Sequence, residues 1–481
     1  MKPDVEVLIV GAGISGIGAA IACLRHGHTS LALLEASTEP GGTWRDNTYP
    51  GIAVDIPSVS YCFSFERDYP WSRKFATGAE IQRYVRHCVE KYGVAAHIRY
   101  RSRVVRSEFD AGRDIWTTRL DDGRVVTSRY LIAATGLFGL PKLPAIPGLD
   151  TFAGKTMHTG RWDHGHNLAL KRVAVIGTGA SAVQIVPKIA PLVAELSVFQ
   201  RTPIWISPRP DRAVSRLASD ASLEFLTFAI VNYRRLPFMV RVVQRWLRAS
   251  MLRQVTDDET AGKLLPGYGL GCKRPAPSNE YLRAFNRPNV RLVTQPIDRI
   301  CPEGIVTADA TLHAVDTIIL ATGFRTTEQG NAPSFEVVGS EGMELGQFWT
   351  DHGRQAYAGV SMPGFPNFFL TAGPYSGGFN WFAMLEANLD HIIACLNGAR
   401  ARAVARVEVG RGAHERYMRH MRRRAGGTVF TAASCASANS YYLDRHGDAS
   451  LALPHTPWWR VIRGRVRGTR DYRFGAPGGV A

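Results

Sequence analysis

The chain has 481 residues, 45% of them hydrophobic and 21% charged, with a formal net charge of +17 and a pI near 9.8. That length exceeds one compact core and implies roughly two or three domains of ordinary globular composition. The basic balance suits anionic ligands, while no Lys/Arg block interleaved with aromatics forms a nucleic-acid platform and no run of about 18 apolar residues forms a membrane span.

Val7-Leu8-Ile9-Val10 reads as a buried parallel strand running through Gly11-Ala12-Gly13-Ile14-Ser15-Gly16 into a helix that begins near Ile14. In a dinucleotide-binding βαβ unit Gly11 allows the tight turn, Gly13 lets the backbone approach a pyrophosphate, and Gly16 lets the helix pack on the strand. The helix start offers free N–H groups and a dipole to the phosphates. Leu31-Ala32-Leu33-Leu34 then ends in Glu35, about 20 residues past the last glycine, where a carboxylate takes a ribose hydroxyl.

Pro40-Gly41-Gly42-Thr43-Trp44 is expected to fold over the ligand, and Tyr49-Pro50-Gly51 leads through a turn to Asp55. Glu80 to Tyr92 has helical spacing; Val104 to Arg129 reads as short strands around the Asp122-Gly123 hairpin signal. Tyr130 to Gly136 is another buried strand ending in small residues, and the proline-rich Pro141 to Pro147 marks a linker. Beyond it lies Phe152-x-Gly154-x-x-x-His158-x-x-x-Trp162-Asp163. His158 has no second His, Cys or acidic partner at metal-ligand spacing, so no metal site is expected.

The opening pattern then recurs. Val173-Ala174-Val175-Ile176 leads into Gly177-Thr178-Gly179-Ala180-Ser181-Ala182, with alanine in the position that only packs. The next strand, Leu196 to Phe199, ends in Gln200-Arg201-Thr202, offering a guanidinium where the first unit offers Glu35. Arg201 suits a 2′-phosphate, so this unit favours NADP and the first favours FAD. Two such units in one chain imply hydride transfer from nicotinamide to flavin.

Residues 212 to about 265 change character: Leu223 to Val231 and Phe238 to Leu252 read as helices, apolar with frequent Arg. Arg241 to Arg248 also fits a basic amphipathic helix suited to peripheral membrane contact, but an inserted helical subdomain is the favoured reading. Leu292 to Thr294 and Thr317 to Leu320 are strands. The latter ends in Ala321-Thr322-Gly323, echoing Ala134-Thr135-Gly136 where the chain crosses back. A helix is expected from Asn380 to Leu396. Nearby Tyr375, Phe379, Trp381 and Phe382 fit an apolar cleft or core equally. Arginines between Arg460 and Arg473 alternate with Val, Ile and Tyr as a solvated strand face does.

The expected class is α/β, with two Rossmann-like dinucleotide-binding domains and a helical insertion. An FAD-binding domain takes 1–145 and 326–481, an NADP-binding domain 152–210 and 268–325, and the insertion 211–267. The seven cysteines (Cys23, Cys62, Cys88, Cys272, Cys301, Cys395, Cys435) are scattered and include no C-x-x-C pair. Neither structural zinc nor a redox-active dithiol is supported, and a reducing, cytoplasmic location fits. The amino terminus carries no charged-then-apolar signal segment.

Together these motifs resemble the type I Baeyer–Villiger monooxygenases of the flavoprotein monooxygenase superfamily, over residues 5 to about 475. The resemblance rests on both glycine motifs, Gly-Gly-Thr-Trp at 41–44, Tyr-Pro-Gly at 49–51 with Asp55, Gln-Arg-Thr at 200–202, and above all the signature from Phe152 to Asp163. Trp162-Asp163 favours the ketone-oxidising branch over the N- and S-oxygenating one; Thr48 departs from the arginine often found before the tyrosine. The resemblance implies that Arg274 is the active-site arginine, with Asp55 its carboxylate partner beside the flavin. Lys273, Arg201 and Thr202 would hold the NADP phosphate, alongside Gly177, Thr178, Gly179 and Ser181. His158 and Trp162 would couple domain movements and position NADP.

Ser15, Glu35, Gly42, Thr43, Trp44, Asp55, Tyr61 and the backbone at Val104 fall where the family contacts FAD. The implied reaction uses NADPH and O2 to convert a ketone to an ester or lactone through a peroxide on the flavin C4a carbon. Rival readings are a heteroatom oxygenase of the same superfamily and a nucleotide-binding redox sensor that needs neither Arg274 nor Asp55. A disulfide reductase is set aside for want of a C-x-x-C.

Overall fold

The computed structural model describes residues 2–210, 215–328 and 330–475; Met1, the start of the expected insertion at 211–214 and the chain end at 476–481 lie outside the described residues. The chain opens with strand β1 (Val5–Val10), helix α1 (Ile14–Arg25) and strand β2 (Leu31–Leu34). Helix α2 (Gly78–Lys91) follows, with Thr77 capping its start by accepting from Glu80 N–H. An antiparallel meander comes next: β3 (Val104–Asp110), β4 (Ile115–Leu120) and β5 (Val125–Ala133). β1 lies parallel between β2 and β5, in the register Val10↔Leu34 and Val10↔Ala133.

β1 is an unbroken apolar run because both of its faces are covered. Val7 and Ile9 pack against α1, while Leu8 and Val10 pack on the other side with Trp116 and Phe368. Each such fully buried side chain stabilises the fold by about 1.5–3 kcal/mol.

The second sheet repeats the plan with five parallel strands. These are β6 (Lys155–His158), β7 (Arg172–Ile176), β8 (Glu195–Phe199), β9 (Val290–Val293) and β10 (Thr317–Leu320), in the spatial order β9-β8-β7-β10-β6. Helix α3 (Ala180–Ile189) follows β7 as α1 follows β1. Between β8 and β9 stand the helices α4 (Arg216–Val231), α5 (Pro237–Leu252) and α6 (Asp258–Leu264), followed by the short helix Tyr281–Ala284.

After β10 the chain returns to the first sheet, where Glu336–Val338 pairs with β3 and Phe368–Leu370 with β5. Helix α7 (Trp381–Ala401) covers α1, and its start is capped by Asn380, whose Oδ1 accepts from Ala383 N–H at 3.1 Å. Helix α8 (Arg411–Ala425) and helix α9 (Pro457–Arg467) complete this face.

α9 corrects the strand expected from Arg460 onward. Pro457 suits the first helical position, and Trp458, Ile462 and Val466 recur every four residues, a helical period that the alternation had masked. Among the described residues from Arg460 onward only Tyr472–Gly475 is strand, antiparallel to Arg406–Val409. Arg460 is buried on α9, not solvated.

Candidate active site

Both glycine turns open on one cavity of about 2490 Å³ between the two sheets. Gly11 has φ +104°, and a Cβ there would lie 2.7 Å from Ala134 O; Gly177 has φ +113°, and its Cβ would lie 2.4 Å from Ala321 O. The two echoing Ala-Thr-Gly segments are therefore equivalent. Each ends the neighbouring strand directly against a glycine turn, leaving no room for a side chain. Gly16 plays the expected packing part, since a Cβ there would sit 1.8 Å from Gly11 O.

Helices α1 and α3 begin at Gly13 and Gly179 with no side-chain cap. Their first-turn residues, Ser15 and Ser181 among them, line the cavity. Uncapped helix starts leave N–H donors for a ligand. Nothing lies within 4 Å of a Cβ built on Gly179, and at Gly13 the nearest atom is Gly42 Cα at 3.7 Å.

In the first half, Glu35 is buried at the end of β2. Its Oε2 accepts from Ala12 N–H at 2.8 Å, and its Oε1 accepts from Ser37 N–H at 2.8 Å and Arg45 Nη1 at 2.9 Å. The carboxylate is thus locked against the glycine turn, with Arg45, a residue that the sequence reading did not single out, neutralising it. Gly42 (φ +55°) starts the short helix Thr43–Asp46. Trp44 Nε1 donates to Tyr61 OH at 3.0 Å, placing these two expected neighbours on one wall with Val104.

In the second half, Thr178 Oγ1 donates to Thr202 O at 2.8 Å, holding the strand end beside the glycine turn. Arg201 and Lys273 both line this part of the cavity. Burial, and then the charge of Arg201, push the Lys273 ammonium down to about 8. Two cations lining the same cavity, near enough for one charge to lower the other, form a site for an anion.

Between the halves, Asp55 meets Arg274. Nη2 donates to Oδ1 at 2.9 Å and Nε donates to Oδ2, a two-pronged pair. Burial opposes the guanidinium charge, yet Asp55 outweighs it and holds Arg274 above its ordinary range. The guanidinium also lies 5.2 Å from the Phe379 ring centre.

Asp55 is placed by the Tyr49-Pro50-Gly51 turn, which docks on α3. Tyr49 OH donates to Gln184 Oε1 at 2.9 Å, and Gln184 Nε2 donates to Ala53 O at 2.9 Å. Gly51 is required there, since its Cβ would lie 2.5 Å from Gln184 O. Thr48, the departure from the family pattern, shares a hydrogen bond between its Oγ1 and His164 Nε2 at 2.8 Å.

The loop carrying Arg274 is held from the other side by a disulfide. Cys272 and Cys435, 163 residues apart, are bonded with Cα atoms 5.2 Å apart, and Ser440 Oγ donates to Cys272 O at 2.6 Å. The scattered spacing of the cysteines foretold no such pair. It anchors the segment that brings Tyr441 and Tyr442 into the cavity. Among the described residues no group of three or more His, Cys, Asp or Glu is placed to hold a metal ion.

His158 and Trp162 do not line the cavity. His158 Nδ1 accepts from Gly160 N–H at 3.0 Å, so Nε2 carries the proton and donates to Gly323 O at 3.0 Å. Burial holds this imidazole below its ordinary value, neutral, as the bond pattern requires. It fastens the end of β6 to the crossing segment after β10. Of the four aromatics left open, Phe379 and Trp381 line the cavity, while Tyr375 and Phe382 are core.

Residues 8–227 match the family model described as pyridine nucleotide-disulphide oxidoreductase. A Baeyer-Villiger monooxygenase of Streptomyces coelicolor is 36% identical over 473 residues, covering 94% of this chain and 89% of its own. A solved complex of OTEMO with FAD and NADP superposes with a TM-score of 0.87 at 26% identity, covering 99% of this chain and 100% of that one. Cyclohexanone monooxygenase from Rhodococcus sp. Phi1 bound to NADP+ does so with a TM-score of 0.87 at 28% identity, covering 99% and 100%. Relatives so similar over nearly their full length, on a scaffold with two glycine turns facing one arginine–aspartate pair, place this chain in the Baeyer–Villiger monooxygenase family.

Proposed function

We propose that this protein uses NADPH and O2 to insert one oxygen atom beside a ketone carbonyl, giving an ester or lactone and water, with FAD as its resident cofactor. The observation that carries the reading is the Asp55–Arg274 pair, set where the cavities of the two nucleotide units merge. The residues fit the cofactors. The uncapped start of α1 beside the open Cα of Gly13 suits a pyrophosphate, and the Glu35 carboxylate at the end of β2 suits a ribose hydroxyl. On the other side Arg201, Thr202 and Lys273 suit a 2′-phosphate.

When bound, FAD passes electrons from NADPH to O2 and delivers oxygen to the substrate. The protein's part is electrostatic. Arg274 is a permanently charged donor with several N–H groups, suited to oxyanions that develop at the attacking oxygen and at the former carbonyl. Asp55 engages two of its N–H groups, which aims the rest and offsets the cost of keeping a cation in a partly closed site. Lys273 and Arg201 hold the reductant by its phosphate. His158, away from the cavity, keeps β6 and the crossing segment in register and takes no part in proton transfer.

Purified protein should be yellow, consume NADPH faster when ketone is added, and yield ester identified by mass spectrometry. Sulfide or amine oxidation without ester from any ketone in a cyclic, linear and aromatic panel assigns the chain to heteroatom oxygenation instead. A colourless protein that FAD cannot reconstitute ends the reading altogether.

A further inference from the structure

The helical pair between β8 and β9 is amphipathic in an unusual sense: both of its long helices are apolar on the side turned away from the protein. On α5, Val240, Gln244, Leu247 and Met251 face inward, and Gln244 Oε1 accepts from Leu270 N–H at 2.9 Å. The opposite stripe is Phe238, Val242, Trp246 and Ala249, all exposed, with Trp246 55% accessible. α4 follows the same rule, burying Ser219, Leu223, Thr227 and Ile230 and exposing Leu217, Ala221, Phe225 and Phe228. α9 adds Trp458, Ile462 and Val466 at four-residue steps, with Trp458 64% accessible. Its first turn touches α4, where Trp458 N–H donates to Glu224 Oε1 at 3.3 Å.

Solvated helices put charge on that side and scatter their large apolar groups singly. Here the stripes recur on three adjoining helices, which marks an interaction surface. The surrounding charge chooses the partner. Six arginines and no carboxylate stand from Arg234 to Arg253, with Arg241, Arg245, Arg248 and Arg253 exposed around the α5 stripe. α9 carries Arg463, Arg465 and Arg467 beside its own stripe.

A second copy of this chain would bring the same cations face to face. An anionic lipid surface complements them, with tryptophan and phenylalanine entering the headgroup boundary. α4 and α5 have 16 residues each, about 24 Å at the helical rise. Among the described residues no helix is long and apolar enough to cross a membrane, so this surface lies on the bilayer.

We infer that α4, α5 and α9 form a seat for an anionic bilayer. The inner residues of α4, Thr227 and Ile230, line the cavity that holds Arg274, so the seat places the cavity wall at the lipid boundary. An apolar ketone dissolved in the bilayer then has a short path to the site. That consequence rests on the proposed reaction; the seat itself does not.

The test is flotation of the FAD-loaded enzyme with phosphatidylcholine vesicles, with and without phosphatidylglycerol, at low and high salt. The enzyme is expected to float with the anionic vesicles and to release as salt rises. The combined variant Phe238→Ser, Val242→Ser, Trp246→Ser should lose binding by on the order of tenfold or more. Arg241→Gln with Arg245→Gln and Arg248→Gln should remove the preference for phosphatidylglycerol. Both variants should keep flavin absorbance and ketone-free NADPH consumption, which shows that they fold.

The inference is overturned if the wild-type enzyme stays unbound with both vesicles, or if the serine variant floats as well as wild type. It is overturned equally if sedimentation velocity shows a wild-type dimer that the serine variant dissociates, because the surface then belongs to a second copy. Flotation reads binding and not turnover, so a failed ketone assay and a failed seat are told apart.

Discussion

Asp55 and Arg274 are 219 residues apart in sequence, yet two N–H groups of one face two oxygens of the other. Neither is held by this pair alone. Tyr49 and Gln184 dock the turn leading to Asp55 on α3, and the Cys272–Cys435 bond holds the loop of Arg274. The pair is thus a fixed point in a cavity whose other walls come from separate sheets. Arg274→Ala is expected to lower ester formation by roughly a hundredfold to a thousandfold, while NADPH consumption without ketone persists. Arg274→Lys should not restore ester formation, since a point charge cannot engage Asp55 with two N–H groups and keep others free. Ester formed per NADPH consumed reads both; if Arg274→Ala weakens only NADPH binding, Arg274 is a phosphate contact and nothing more.

Lys273 sets a pH limit. Its ammonium titrates at about 8 in the free protein, lowered by burial and by Arg201. Below that value it is charged and favours an anionic phosphate; above it the charge is lost. The KM for NADPH is therefore expected to climb as pH rises through about 8, with kcat changing less. Lys273→Arg should flatten the rise, because a guanidinium stays charged throughout. A flat wild-type profile removes Lys273 from the phosphate site.

Arg201 decides between the two nicotinamide cofactors. Arg201→Ala should weaken NADPH by roughly ten- to a hundredfold, the worth of a charge-assisted hydrogen bond, and leave NADH nearly unchanged. The ratio of kcat/KM for the two cofactors is the measurement. An unchanged ratio moves 2′-phosphate recognition elsewhere.

The two glycine turns should fail in different ways. A Cβ at Gly16 would lie 1.8 Å from Gly11 O, so Gly16→Ala must push α1 off β1. The expected outcome is protein that loses flavin on purification. Gly177→Ala, strained by its φ of +113° and by Ala321 O, should keep its yellow colour and lose NADPH affinity. Strain at such positions costs about 1–3 kcal/mol. Flavin content against NADPH titration separates the two.

Thiol titration checks the loop anchor. Denatured without reductant the protein should show five thiols, and after reduction seven. Seven at the outset would mean that Arg274's loop is held by Ser440 and its packing alone.

Much of this architecture is local, and local features are legible in a single chain. Apolar runs of four ending in Gly-x-Gly can only be buried strands entering a tight turn, so both nucleotide units, Glu35 and Arg201 were placed by spacing alone. The helix start near Ile14 likewise follows from the glycine turn, and the helix expected over 380–396 forms as Trp381–Ala401, with Asn380 as its cap. Where two periods fit the same residues, as from Trp458 to Val466, sequence did not decide; packing against α7, which buries Arg460, made the segment a helix. Gln184 and Cys435 act through partners more than a hundred residues away, and nothing near them in sequence names those partners. The meeting of Asp55 with Arg274 was anticipated only through family resemblance. Tertiary structure alone decides such pairs because their geometry depends on how two sheets and the turns between them are set against each other, and no spacing along the chain encodes that distance.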